Sequence, residues 1–138
     1  MSTALRVIVA IFMSLVGFLA VASVGFIALR IAWPDYAAVE AAVNASYGGG
    51  PPAQFELAMM VARLIIASIA SVVAAWITAL TLRDARLAPL AGGLALLAAF
   101  IPLHISLWDK FPIWYHATFL ASLPLLAIVG GRFARTDA

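Results

Sequence analysis

Four stretches of this chain are too long and too apolar to fold in water. They run Leu5–Ile31, Gln54–Leu82, Pro89–Leu107 and Ile113–Gly131. Each approaches or exceeds the roughly 20 residues that a helix, rising about 1.5 Å per residue, needs to cross the hydrocarbon core of a bilayer. The remainder of the 138 residues is short connection, so no part of this sequence offers a separate water-soluble domain. The overall balance agrees: 66% of residues are hydrophobic and 10% charged, with a mean hydropathy of +1.12, whereas soluble domains are about half apolar and a quarter charged. The expected fold is all-α, a single transmembrane domain over residues 1–138 with four membrane helices packed as a bundle.

The span ends carry helix-stopping signals. Pro34 follows the first, the run Gly48-Gly49-Gly50-Pro51-Pro52 precedes the second, Arg83-Asp84-Ala85-Arg86 precedes the third, and Lys110-Phe111-Pro112 precedes the fourth. The start resembles a signal peptide, but its apolar run continues to Ile31, longer than a signal core, and reads as a retained first span. Lys and Arg beside a span are retained on the cytoplasmic side. Arg6, Arg83, Arg86, Arg132 and Arg135 fall on one side, Arg30 and Lys110 on the other. Both termini are therefore expected in the cytoplasm. The opposite side collects Trp33, Trp108, Trp114 and Tyr115, with Tyr36 and Tyr47, as anchors for the headgroup layer.

The first outer loop is long enough to hold a helix of its own. Between Asp35 and Ser46 it is alanine-rich, and Tyr36, Val39, Val43 and Tyr47 recur at helical spacing, with Glu40 and Asn44 between them. That pattern predicts a short interfacial helix lying on the outer membrane surface. Helices in lipid meet through small residues, because lipid competes for large apolar side chains. The predicted seams are Ala67, Ser71 and Ala75 with Ala70, Ala74 and Thr78 on the second span, Ser14, Gly17 and Gly25 on the first, and Ala91, Ala95 and Ala99 on the third.

Arg63 is the most informative residue. At a helix centre an arginine costs roughly 2.5–3.5 kcal/mol to insert, so partners must compensate. Glu56 lies two turns away on the same face, Asp109 is a second candidate carboxylate, and Pro102 and Pro124 release the carbonyls of Ala98 and Leu120 from their helical donors. Arg63, Glu56, His104, Asp109 and His116 thus form a candidate polar cluster, either a staple between helices or a site for a small ligand.

The hairpin between the third and fourth spans places His104 and His116 at similar depth. Two imidazoles on separate helices are a weak metal signal, since zinc motifs usually pair ligands at i and i+4. A haem between tightly linked helices about 8–10 Å apart would be cramped. No cofactor is therefore expected, with a metal or haem at His104 and His116 as the lesser alternative. The plainer reading has both histidines bonding backbone carbonyls or Asp109.

Several classes are excluded. The absence of cysteine removes disulfides, thiol redox chemistry and thiolate metal sites. The first span lacks the embedded acid of four-helix exporters, which disfavours that class. Ser106, His104 and Asp109 do not form a hydrolase triad, because Ser106 and His104 point apart on one helix. No glycine loop followed by Lys-Ser or Lys-Thr cradles a phosphate. A net charge of +2 from singly scattered basic residues does not suit nucleic acid.

At Ala62-Arg63-Leu64, Phe100-Ile101-Pro102 with His104, Leu107-Trp108-Asp109-Lys110-Phe111-Pro112 and Trp114-Tyr115-His116, the chain resembles a family of small four-span bacterial inner-membrane proteins of unknown function. The likeness covers the C-terminal half and hardly touches the first span. It implies a multi-pass protein of the bacterial inner membrane and assigns no activity, cofactor or partner. Two functions stay open: a non-enzymatic subunit or accessory protein of an inner-membrane assembly, in contact with lipid and with other membrane proteins or copies of itself, or a binder or conductor of a small ligand, metal or ion. A membrane enzyme comes third, for want of a nucleophile and base placed together.

Overall fold

The computed structural model describes residues 3–82 and 87–136. Among them are five α-helices and no strand: α1 (Thr3–Ala32), α2 (Pro34–Tyr47), α3 (Leu57–Leu82), α4 (Leu87–Ser106) and α5 (Ile113–Thr136), with a 3-10 turn over Trp108–Lys110 between α4 and α5. All but α2 are long and apolar enough to cross a membrane, so the chain is a multi-pass membrane protein built as a four-helix bundle. The Arg83 to Arg86 turn, on which the orientation rule partly rests, lies outside the described residues.

Pro34 sets the joint between α1 and α2. It has no N–H to continue α1, and its fixed φ suits the first turn of a new helix, so the chain turns at Trp33 alone. α2 ends where the amides of Gly48 and Gly50 both bond the Ala45 carbonyl. Gly49 follows with φ of +91°, a left-handed conformation that glycine adopts freely.

α3 is the central helix. It packs on α1, α4 and α5, while α4 and α5 pair as a hairpin and α1 meets α4 only slightly. Its small residues make this possible: Ala67, Ala70, Ser71, Ala74, Ala75, Thr78 and Ala79 are all buried. Gly130 of α5 lies so close to the Val72 carbonyl and Ala75 that a side chain there would collide. The expected seam of α4 is corrected. Ala91 and Ala99 are exposed, whereas Gly92, Gly93 and Leu96 are buried; the helical stripe is displaced by one residue because the two glycines permit the closer approach.

The interior divides into two clusters. One lies mid-bundle around Phe18, Ala70, Leu96, Phe119 and Leu123. The other, around Tyr36, Val43, Phe55, Met59, Phe111 and Tyr115, joins α2 to the ends of α3 and α5. α2 therefore caps one end of the bundle.

α2 also turns differently from its sequence pattern. Tyr36, Glu40 and Val43 are its buried residues, while Val39 is half-buried and Tyr47 exposed. Glu40 faces the bundle instead of water, because two guanidiniums wait there.

Candidate functional site

Arg63 lies six residues into α3, about 9 Å from its first residue. Side chains tilt toward a helix's N-terminus, and the N-terminus of α3 is at the α2 end, so the guanidinium is directed toward α2. Arg63 Nη1 donates to the Tyr36 hydroxyl at 2.6 Å and approaches Glu40 Oε1 at 3.5 Å. The Tyr36 hydroxyl donates to the same carboxylate at 3.2 Å. Arg30 Nε bonds the other oxygen of Glu40. One carboxylate thus joins three donors from α1, α2 and α3.

Two aromatic faces complete the surroundings of Arg63. Its guanidinium carbon is 4.8 Å from the Phe26 ring centre and 4.6 Å from that of Phe55. Cation–π contacts contribute about 0.5–2 kcal/mol each. With a charge-assisted hydrogen bond worth about 1.5–3 kcal/mol, they are of the size needed to offset the insertion cost of about 2.5–3.5 kcal/mol. The Tyr115 hydroxyl interacts with the same guanidinium.

Glu40 stands outside the spanning helices, and its carboxyl is held below the usual carboxylate range. Burial pushes it up, but the bond and charge of Arg30, the Tyr36 hydroxyl and the charge of Arg63 together outweigh burial. Burial likewise keeps the Tyr36 phenol protonated beyond its usual range, against the pull of Arg63.

The two histidines meet directly. His104 Nδ1 and His116 Nδ1 are 2.7 Å apart, with the rings nearly perpendicular at 82°. One ring donates and the other accepts. His116 is stacked beneath Trp108 at 4.9 Å, and its Nε2 is buried without a partner. No group of three His, Asp or Glu that could hold a metal occurs among the described residues.

Of the residues singled out in the sequence, the structure brings Arg63, His104, His116 and Tyr115 around one cavity. Glu56 and Asp109 are exposed on the connections before α3 and before α5, and the hydrogen bonds of Arg63 go to Tyr36 and Glu40, not to the Ala98 or Leu120 carbonyls. Trp108 and Trp114 are exposed and Trp33 half-exposed, while Tyr115 turns inward. Glu40, Tyr36 and Arg30 are the residues that sequence reasoning missed. The i, i+4 spacing of Tyr36 and Glu40 was the available signal, since it puts both on one helix face.

The cavity has a volume of about 230 Å³. α1 and α4 form its walls, α3 and α5 its floor. Phe26, Arg63, His104, Tyr115 and His116 line its α2 end; Phe18, Leu19, Ala22, Ala67, Phe100 and Phe119 line the remainder. The rise of α1 from Phe18 to Phe26 gives it a length of about 12 Å along the helices. Ser23, Leu19 and Leu103 on its lining are exposed, so it opens sideways between α1 and α4 as a cleft facing the membrane.

Compared with known proteins, the chain matches no family model, no curated protein and no solved structure.

Proposed function

We propose that this chain is a non-enzymatic membrane protein that holds one membrane-resident amphiphile in the cleft between α1 and α4. The observation that carries this reading is the polarity gradient of the cleft: apolar along Phe18, Ala22, Ala67 and Phe100, polar at the Arg63 and histidine end, and open to lipid through its side. A lipid has the same gradient over the same direction, from headgroup layer to bilayer centre. An occupant can therefore enter laterally without leaving the membrane, with its head at the level of α2 and its chain parallel to the helices. Two buried polar atoms without partners, Arg63 Nε and His116 Nε2, belong to residues lining the polar end of the cleft.

The setting that goes with this reading is a bacterial inner membrane, with both termini cytoplasmic and α2 on the outer side. Arg6 and Arg132 at the end away from α2 support the orientation, and the family resemblance supports the compartment. With no native cysteine, single cysteines placed at Ser46 and at Phe133 test it by labelling in intact cells: Ser46→Cys should react and Phe133→Cys should not.

The function is tested by purifying the full chain from native membranes in mild detergent and analysing the extracted lipid and the intact complex by mass spectrometry. One amphiphile per chain is the expected result. Recovery free of bound lipid would overturn the reading, and a stoichiometric protein partner would instead favour an accessory subunit of a larger assembly.

A further inference from the structure

The polar end of the cleft carries more positive charge than the surrounding protein neutralises. Among the described residues Glu40 is the carboxylate paired with Arg63, at 3.5 Å, and it is held more closely by Arg30. Two guanidiniums therefore share one carboxylate. Arg30 reaches solvent or headgroups, with 47% of its side chain exposed, whereas Arg63 is 20% exposed and its Nε is buried without an acceptor. Phe26 and Phe55 stabilise the guanidinium through their faces but offer no lone pair for that N–H. In an apolar setting the unmet donor of a cation favours an incoming acceptor, and a negatively charged one most.

A second unpartnered nitrogen belongs to a residue lining the same cleft. His116 is 1% exposed, and its Nε2 has no partner. When His104 Nδ1 donates across the 2.7 Å contact, the neutral His116 carries its proton on Nε2 and becomes a donor. The residues at the polar end then hold two N–H groups without partners, one of them on a cation, and the cleft beyond is a single channel about 12 Å long between two helices. One chain fits that channel better than two.

We infer that the occupant is a single-chain amphiphile with an anionic oxygen head, a carboxylate or a phosphate, seated against Arg63 with its chain running past Ala22 and Ala67 toward Phe18. This rests on the reading of the cleft as an amphiphile site and adds the chemistry of the head. Arg63, which lines the cleft and is 20% exposed, supplies the charge. Glu40 holds the guanidinium in place through Tyr36 without saturating it.

The test uses the full chain in phosphatidylcholine nanodiscs, with dibromostearate and its methyl ester as quenchers of tryptophan fluorescence; Trp108, stacked on His116, is the reporter nearest the polar end. The acid is expected to quench saturably and to bind about tenfold or more tightly than the ester, the size of one charged hydrogen bond. Arg63→Gln should erase that preference while ester binding persists. Ser23→Phe, at the lipid-facing rim, should abolish quenching by both. Competition by palmitate alone identifies a carboxylate head, and competition by palmitoyl lysophosphatidate alone a phosphate head; either supports an anion. Ester binding as tight as acid binding in the unaltered protein overturns the head assignment and leaves the cleft reading standing, whether or not Arg63→Gln folds. Absence of saturable quenching by either probe, or indifference to Ser23→Phe, overturns the cleft reading itself.

Discussion

The Arg63 guanidinium bonds the Tyr36 hydroxyl at 2.6 Å and thereby fastens the central membrane helix to the helix that caps the bundle. Removing that hydroxyl leaves a buried charged donor without its nearest acceptor. Tyr36→Phe is expected to destabilise the protein by about 1–3 kcal/mol, seen as a lower midpoint of thermal unfolding in detergent. An unchanged midpoint would show that the link carries no stability.

Acid should loosen the same knot. The Glu40 carboxyl is held below its ordinary value of 4.5 by its cationic partners, so the native state keeps it charged where an unfolded chain would already be protonated. The stabilisation is complete above the ordinary carboxylate range and is lost as pH falls through the depressed native value. Thermal unfolding measured from neutral to acidic pH should show this loss, and Glu40→Gln should be less stable at neutral pH and less sensitive to acid. Equal acid sensitivity in both proteins contradicts the assignment.

His104 and His116 should behave as one unit. Either single replacement by leucine strands the buried nitrogen of the other and should cost about 1–3 kcal/mol. The double replacement should cost less than the sum, with a coupling of about 0.5–3 kcal/mol in the double-mutant cycle. Strict additivity would mean that the 2.7 Å contact contributes nothing.

Packing supplies a sharper contrast. Gly130→Leu drives a side chain into the Val72 carbonyl and Ala75 and should destabilise by about 1–3 kcal/mol or more. Ala99→Leu, on the exposed face of α4, should stay within about 0.5 kcal/mol of the parent. Differential scanning fluorimetry of the two variants decides whether this face of α4 meets lipid.

The bundle was legible in the sequence because hydrocarbon imposes one requirement, that peptide groups bond within each helix, and long apolar runs between Pro34, Gly48 to Pro52 and Pro112 satisfy it visibly. Arg63 was legible for the complementary reason: a charge in an oily run is conspicuous. Its partner was not. Glu40 stands among alanines in a segment whose apolar residues admit two neighbouring stripes, Tyr36–Val39–Val43 and Tyr36–Glu40–Val43. A few tens of degrees of rotation separate them, and the choice is made by Arg30 and Arg63 from other helices. A larger rotation, about 100° for one residue, moved the α4 seam from Ala91 to Gly92. Matched depth was enough to place His104 near His116, but not to show that they bond each other, since that depends on how the hairpin rolls α4 against α5.

The turn at Trp33 has a mechanical consequence. α1 is braced mainly by α3 and lies loosely beside α4, yet a single residue separates it from α2. Widening the membrane-facing slot by swinging α1 away from α4 must move Arg30 with it, against a carboxylate anchored on the cap. The fit of an arriving molecule and the grip of Arg30 on Glu40 are thus two ends of one lever, with Pro34 at its fulcrum.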